Sequence, residues 1–202
     1  NGNAPAPFTI ISVNDLESGI MMSRNPSHMK QLVAYAKALE AGGKYPLMVW
    51  PEHCLIGTPG HNVQPDLMTS LLRWEDSQFA NVDYVVKGTN TFTEHYGALM
   101  AEVPDPNDPS TSLNTSFLNV FAEADIIAVA GEASSHCVKS TVEQIADNIG
   151  VDHIKKLVLL TACMSAVGEV GNGPDFPASA KQFMKDMEAK GMQLSNSVDF
   201  LS

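Results

Sequence analysis

A cysteine placed at the predicted start of a helix is the first feature of this sequence that could do chemistry. Residues 128–141 run from an apolar strand pattern through small residues to His136-Cys137, where a helical pattern begins. The free N–H groups and the dipole of a helix N-terminus favour a thiolate and can stabilise a developing oxyanion. An isolated free cysteine is more often an inert buried residue, so the interpretation of Cys137 as a nucleophile depends on its surroundings.

A lysine that ends another apolar run offers a partner for this cysteine. We predict a strand at residues 83–87, ending at Lys87 and followed by Gly88. The functional residues of parallel sheets collect at the carboxyl ends of the strands, so we expect Lys87 beside Cys137. An ammonium group there would stabilise a thiolate, because an ordinary thiol with a pKa of about 8.5 is only slightly ionised at neutral pH. A lysine that simply reaches water is the alternative.

The loop at residues 50–61 contains a third candidate. It follows an apolar run and holds His53 among prolines and glycines. A histidine in such a loop suits a metal ligand or a substrate contact, since little flexibility has to be removed to fix its position. A loop histidine that only makes a hydrogen bond is the alternative.

The elements that must position these residues alternate along the chain. We predict strands at residues 8–12, 45–50, 83–87, 126–131, 156–161 and 192–200. We predict helices at residues 28–41, 112–123, 139–148 and 177–190. Continuously apolar strands joined by helical crossovers are typical of a mostly parallel sheet covered on both faces. The expected fold class is α/β, a three-layer α/β/α sandwich, in a single domain over residues 1–202.

Composition and charge exclude several classes of partner. The chain has 202 residues and a net charge of −11, without a basic cluster, which argues against nucleic acid and anionic membranes as partners. Its apolar runs are too short to cross a bilayer. Three cysteines without CxxC spacing fit neither a disulfide framework nor a thiolate zinc site, so we expect a reducing, cytoplasmic location.

Three motifs in sequence order resemble the nicotinamidase branch of the isochorismatase-like cysteine hydrolases. They are Trp-Pro-Glu-His-Cys at residues 50–54 with Gly-Thr-Pro-Gly at 57–60, Lys-Gly at 87–88, and Gly-Glu-Ala-Ser-Ser-His-Cys-Val at 131–138. The resemblance covers residues 45–163 and implies the isochorismatase-like hydrolase fold. It also implies hydrolysis of a small carboxamide partner, nicotinamide to nicotinate and ammonia in NAD salvage, through a thioester.

The resemblance assigns catalytic roles to three residues. Cys137 matches the nucleophile and Lys87 matches the catalytic lysine. The Glu132-Ala133 peptide matches a position that is cis in the family, which implies an oxyanion hole formed by the N–H groups of Ala133 and Cys137.

The resemblance also assigns residues to the substrate and to a metal ion. Trp50 matches an aromatic wall of the substrate pocket, and Tyr96 falls near a position that lines the same pocket. His53 matches the last histidine ligand of a divalent metal ion, which would be zinc, iron or manganese. The other ligands of that ion are not visible in this chain.

The N-terminal region departs from the family pattern. The family uses an aspartate at the end of its first strand as a base, and the nearest candidate, Asp15, is a weak match. Residues 5–12 resemble a segment that lies downstream of the missing ligands, so we expect the chain to lack an N-terminal portion. The alternatives are a catalytically silent binding or scaffold protein and a hydrolase of another small amide. Assembly as a homo-oligomer is compatible with each of these.

Overall fold

The computed structural model describes residues 3–170 and 173–200. The chain divides into two compact units, Asn1–Val86 and Lys87–Ser202. Each unit is described by itself. The prediction of a single domain over residues 1–202 stays a prediction.

The second unit is built around a small parallel sheet. Its strands are β1 (Ile127–Val129), β2 (Leu157–Leu160) and β3 (Gln193–Ser195), in the order β1-β2-β3. Ile127 is in register with Leu157, and Leu159 with Leu194. The helices of this unit are α4 (Thr115–Glu123), α5 (Cys137–Asn148), α6 (Val151–Ile154) and α7 (Phe176–Ala189).

The central strand is covered on both faces. Leu157, Val158 and Leu159 are all buried, although successive side chains of a strand point to opposite faces. Buried side chains of α5 and α7, including Ile145 and Phe183, join Leu157 and Leu159 in one hydrophobic core. Apolar layers therefore lie on both sides of the sheet, as expected for an α/β sandwich.

The first unit is mainly helical. It contains α1 (Val13–Glu17), α2 (Met29–Gly42) and α3 (Pro65–Gln78), of which only α2 was predicted from the sequence. Helix α2 ends where Gly43 adopts a left-handed conformation with φ of 65°, which glycine accepts without a steric penalty. Helix α3 begins with a proline at its first turn and is capped by the side chain of Gln64.

Three predicted strands of the N-terminal half are wrong. Residues 8–12 and 45–50 make only one antiparallel bridge, between Ile10 and Met48, and join no parallel sheet. Residues 83–87 form no strand, and the side chains of Tyr84 and Val86 are exposed. A strand exists only where a neighbouring backbone completes its hydrogen bonds, and no such neighbour accompanies residues 83–87 within the described part of the chain.

The C-terminal half confirms the predicted α/β class with a parallel sheet. Predicted strands at 126–131 and 156–161 contain the shorter strands β1 and β2, and the prediction at 192–200 holds only for β3, because residues 197–200 form a turn. Predicted helices at 112–123, 139–148 and 177–190 coincide with α4, α5 and α7 to within three residues. Within residues 3–170 and 173–200, no helix is long and apolar enough to cross a membrane.

The pair Leu159 and Leu194 tests the importance of the buried central strand. These residues are register partners on β2 and β3, but Leu159 is fully buried and Leu194 is 37% exposed. We expect Leu159→Ala to lower the free energy of unfolding by about 2–5 kcal/mol, because it leaves a cavity in the core. Leu194→Ala is the matched control and should have a much smaller effect in denaturant titrations. Equal losses in the two variants would contradict this description of the core.

Candidate active site

Cys137 is the first residue of α5, as predicted. The chain leaves β1, passes through residues 130–136 and enters the helix at the cysteine. Two backbone hydrogen bonds fix this turn, from the Gly131 N–H to the Cys163 carbonyl at 3.0 Å and from the Ser134 N–H to the Ser165 carbonyl at 2.8 Å. The segment after β2 therefore supports the turn that presents Cys137.

Lys87 lies beside Cys137 although no strand carries it. Its Nζ donates to the Cys137 Sγ at 3.5 Å and to the carbonyl oxygen of His95 at 2.7 Å. Both side chains are half-buried, so solvent screens the interaction between them less than it would at a fully exposed site. A cation in contact with sulfur is a common feature of nucleophilic cysteines.

The two N–H groups predicted to form an oxyanion hole are both available. The peptide bond between Glu132 and Ala133 is cis, as the resemblance implies. Within the described residues, neither the Ala133 N–H nor the Cys137 N–H donates a hydrogen bond to another group. Donors that are held in place and not already bonded are what an oxyanion on the substrate requires.

His136 is a buried residue next to the nucleophile. Its ring lies between Phe176, with ring centroids 4.6 Å apart, and Tyr96, at 5.7 Å. Its Nδ1 lies 2.9 Å from the Ser135 Oγ. Burial lowers the pKa of His136 to about 4, and the nearby charge of Lys139 contributes to the shift. The imidazole is therefore neutral at pH 7 and packs against two aromatic rings.

The segment after Lys87 supplies two further polar groups that sequence analysis did not identify. Burial, and then the charge of Lys87, lower the pKa of His95 below its usual value, so its ring is also neutral at pH 7. Burial raises the pKa of Glu94 to about 7, and the neighbouring Glu102 carboxylate adds to this shift. The sequence signal was present in Glu94-His95-Tyr96, but only Tyr96 was selected from it.

Tyr96 and Asp15 each make local contacts, and their predicted roles at the site stay predictions. Tyr96 is buried and its ring packs against His136, so it reaches the site through that ring. The Asp15 carboxylate accepts hydrogen bonds from the Ser12 N–H and Oγ, at 2.9 and 2.6 Å, and completes a capping box at the start of α1. Its pKa is lowered by these bonds to Ser12. Capping accounts for this aspartate.

Trp50 and His53 lie together in the first unit. Their ring centroids are 6.2 Å apart, and the Trp50 ring also packs edge-on against Phe8 at 5.7 Å. The His53 Nδ1 lies 2.7 Å from the Pro51 carbonyl oxygen. Because a carbonyl only accepts, Nδ1 carries the proton, and Nε2 keeps the lone pair that a metal ion would need.

The described residues do not by themselves fit a metal ion. Among them there is no group of three or more histidine, cysteine, aspartate or glutamate side chains placed to hold one. One imidazole is too few, since protein zinc sites use three or four ligands. His53 would supply one ligand, and the predicted metal ion would require further ligands.

The buried imidazole of His136 predicts a dependence of stability on pH. Between pH 6.5 and about 4 the unfolded chain binds a proton that folded His136 does not, so stability falls as the pH is lowered through this range. We expect His136→Gln to reduce this fall, measured by denaturant titration at both ends of the range. His61→Gln, on an exposed turn, is the control and should keep the wild-type slope. An unchanged slope in His136→Gln would contradict the assignment of a neutral buried ring.

Comparison with known proteins finds solved structures with a similar fold. No protein-family model matches the chain, and no curated protein matches its sequence. The structure of the yeast nicotinamidase Pnc1p matches with a TM-score of 0.51 and 18% identity, over 76% of this chain and 61% of that chain. The same enzyme bound to the inhibitor nicotinaldehyde matches with a TM-score of 0.51 and 17% identity, over the same shares.

A nicotinamidase and pyrazinamidase from Acinetobacter matches with a TM-score of 0.48 and 20% identity, over 78% of this chain and 64% of that chain. This chain therefore spans less than two thirds of the length of each of these proteins. At such identities the similarity to the yeast enzyme establishes the fold. The resemblance seen in the sequence motifs is confirmed at the level of the fold: the chain has the α/β fold of this yeast nicotinamidase.

Proposed function

We propose that this chain carries the nucleophile of a cysteine amidohydrolase that acts on a small carboxamide. The observation that carries this proposal is the contact of the Lys87 Nζ with the Cys137 Sγ, at 3.5 Å, where the cysteine opens α5. A cation and a helix N-terminus act together on one sulfur atom, and both favour the thiolate. The free N–H groups of Ala133 and Cys137 add the donors that acyl transfer requires.

The proposed reaction has two halves. The Cys137 thiolate attacks the amide carbonyl carbon, and the resulting oxyanion accepts hydrogen bonds from the Ala133 and Cys137 N–H groups. The C–N bond then breaks, the nitrogen takes up a proton and leaves as ammonia, and a thioester remains on Cys137. Water adds to the thioester, the C–S bond breaks, and the carboxylate product leaves while the thiol is restored.

The first half needs a base that accepts the thiol proton. The resemblance gives this role to an aspartate, but the Asp15 carboxylate is already bonded to Ser12 in a helix cap. Within the described residues, the Cys137 Sγ has Lys87 as its hydrogen-bonding partner and no carboxylate. The proposal therefore assigns the nucleophile and its cation, and it does not assign the base to Asp15.

Nicotinamide is the proposed substrate. The aromatic face of Trp50, next to the polar His53, suits a flat heteroaromatic amide better than an aliphatic one. The structural neighbours are named as nicotinamidases, and one of them binds nicotinaldehyde, which differs from nicotinamide in having an aldehyde in place of the amide. His53 is proposed as one ligand of a divalent metal ion, which would need further ligands and would supply Lewis-acid chemistry when bound.

A cytoplasmic location fits the proposed chemistry. All three cysteines, Cys54, Cys137 and Cys163, are free thiols. A reducing compartment keeps a nucleophilic thiol from being oxidised.

Removal of the nucleophile is the direct test. We expect Cys137→Ala to abolish ammonia release from nicotinamide, since the proposed thioester forms on its sulfur. Cys163→Ala is the matched control, because Cys163 is also a half-buried free thiol, and it should keep most of the wild-type activity. The substrate acyl group should appear on Cys137 when the reaction is quenched with acid and analysed by mass spectrometry.

Two outcomes would count against the proposal. Ammonia release that persists in Cys137→Ala would show that another group performs the reaction. A folded wild-type protein that turns over none of nicotinamide, pyrazinamide, N-carbamoylsarcosine and isochorismate would favour the silent binding protein instead.

The role of Trp50 can be tested against the other tryptophan of the chain. We expect Trp50→Ala to lower kcat/KM for nicotinamide by roughly ten- to a hundredfold, because an aromatic wall contributes on the order of 1–3 kcal/mol to binding. Trp74→Ala, on the exposed surface of α3, should leave kcat/KM near the wild-type value. If Trp50→Ala affects an aliphatic amide as strongly as nicotinamide, Trp50 is a packing residue, and the proposed substrate is wrong while the nucleophile stands.

A further inference from the structure

The carbonyl of His95 and the sulfur of Cys137 together hold the Lys87 ammonium group. The shorter of the two contacts is the one to His95, at 2.7 Å against 3.5 Å to sulfur. The position of the ammonium at the sulfur therefore depends on where the His95 carbonyl lies. That carbonyl belongs to residues 95–101, a stretch without regular secondary structure that we call the strap.

Helix α5 holds the strap through two side chains. The Thr141 Oγ1 accepts a hydrogen bond from the Ala98 N–H at 3.0 Å and donates to the Cys137 carbonyl at 2.7 Å. The Gln144 Oε1 accepts from the Leu99 and Met100 N–H groups, at 3.1 and 3.3 Å. The Gln144 Nε2 donates to the Met100 carbonyl at 2.9 Å, so the amide is used at both ends.

These two side chains share one face of the helix with the nucleophile. Residues four and seven positions after Cys137 lie above it on the same side of an α-helix, and these are Thr141 and Gln144. The helix that presents the sulfur therefore also holds the backbone that positions its cation.

The strap fits closely against Gln144. A Cβ atom added to Gly97 would overlap the side-chain amide of Gln144, so the backbone there approaches closer than any other residue allows. Gln144 is itself buried, and a buried amide has to satisfy its donors and acceptors locally. The strap satisfies them through three hydrogen bonds, which makes its position well defined.

We infer that Gln144 and Thr141 are positioning residues, which hold the strap so that the His95 carbonyl sets the Lys87 ammonium group at the Cys137 sulfur. The inference rests on the proposed role of Cys137 as a nucleophile. Neither residue touches the substrate or the reacting atoms in this assignment. Each acts through Lys87, and that dependence distinguishes positioning from general stabilisation of the fold.

Alkylation of Cys137 by iodoacetamide reports this coupling without any substrate. The rate is measured from pH 5 to 10 in the full chain, with peptide mapping by mass spectrometry to count Cys137 separately from Cys54 and Cys163. Displacement of the ammonium disfavours the thiolate, so we expect Gln144→Met and Lys87→Met both to raise the pH midpoint of alkylation. Where the midpoint lies above pH 7, each unit by which it rises lowers the alkylation rate at pH 7 about tenfold.

The double variant decides whether Gln144 acts through Lys87. Lys87→Met combined with Gln144→Met should alkylate like Lys87→Met alone, because the cation to be positioned is already gone. Gln182→Met is the matched control, since Gln182 is an exposed helical glutamine of α7 that bonds to Asp186, and it should keep the wild-type profile. If Gln144→Met does not fold, Thr141→Val carries the test, and Thr141→Ser, which keeps the hydroxyl, should restore the wild-type profile.

Three results would overturn the inference. They are a wild-type alkylation profile in folded Gln144→Met or Thr141→Val, a further shift in the double variant beyond that of Lys87→Met, and failure of Thr141→Ser to restore the profile. Failure of the proposed function looks different, because the alkylation coupling would then be present in a protein that releases no ammonia.

Discussion

The candidate site of the second unit depends on one contact: a lysine ammonium group held against a cysteine sulfur at the beginning of a helix. Lys87 and Cys137 are fifty positions apart in the sequence and lie 3.5 Å apart in space. The sulfur is carried by α5, whose start is fixed by the turn after β1, and the ammonium is carried by a stretch that has no secondary structure of its own. An irregular segment can hold the ammonium group in place only if other contacts fix the segment itself. The hydrogen bonds between the strap and α5 are therefore as important to the contact as the sheet.

Sequence reasoning recovered the part of the fold in which local pattern and tertiary packing agree. The strands β1 and β2 are apolar runs, and the helices α4, α5 and α7 show helical spacing with recognisable ends. Each of these elements packs against others of the same unit, so its burial reinforces its own preference. Residues 83–87 have the same apolar composition but no partner strand within the described part of the chain, and composition alone does not reveal that difference.

The candidate site was predictable where a residue's chemistry depends on its neighbours in the chain. The position of Cys137 after small residues and at the start of a helix is of this kind, whereas the role predicted for His53 stays a prediction. The opposite case is Asp15, which keeps a plausible spacing but caps α1 through Ser12. His95 was missed because its backbone carbonyl, not its ring, contacts Lys87, and every residue type has a carbonyl. The side chains of residues 94–96 mark a polar segment, but they do not show which carbonyl contacts the lysine.

The close approach of Gly97 to Gln144 also limits how this protein can diverge. A side chain at position 97 would require a smaller residue at position 144, and a smaller residue there would leave the Leu99 and Met100 N–H groups without their acceptor. Either substitution alone is costly, because each one loses part of the contact between the strap and Gln144. A change at one position therefore has to be compensated by a change at the other. We therefore expect natural variants of this chain to differ far more often in the exposed loops than at positions 97 and 144, where a tolerated change requires substitutions at both positions.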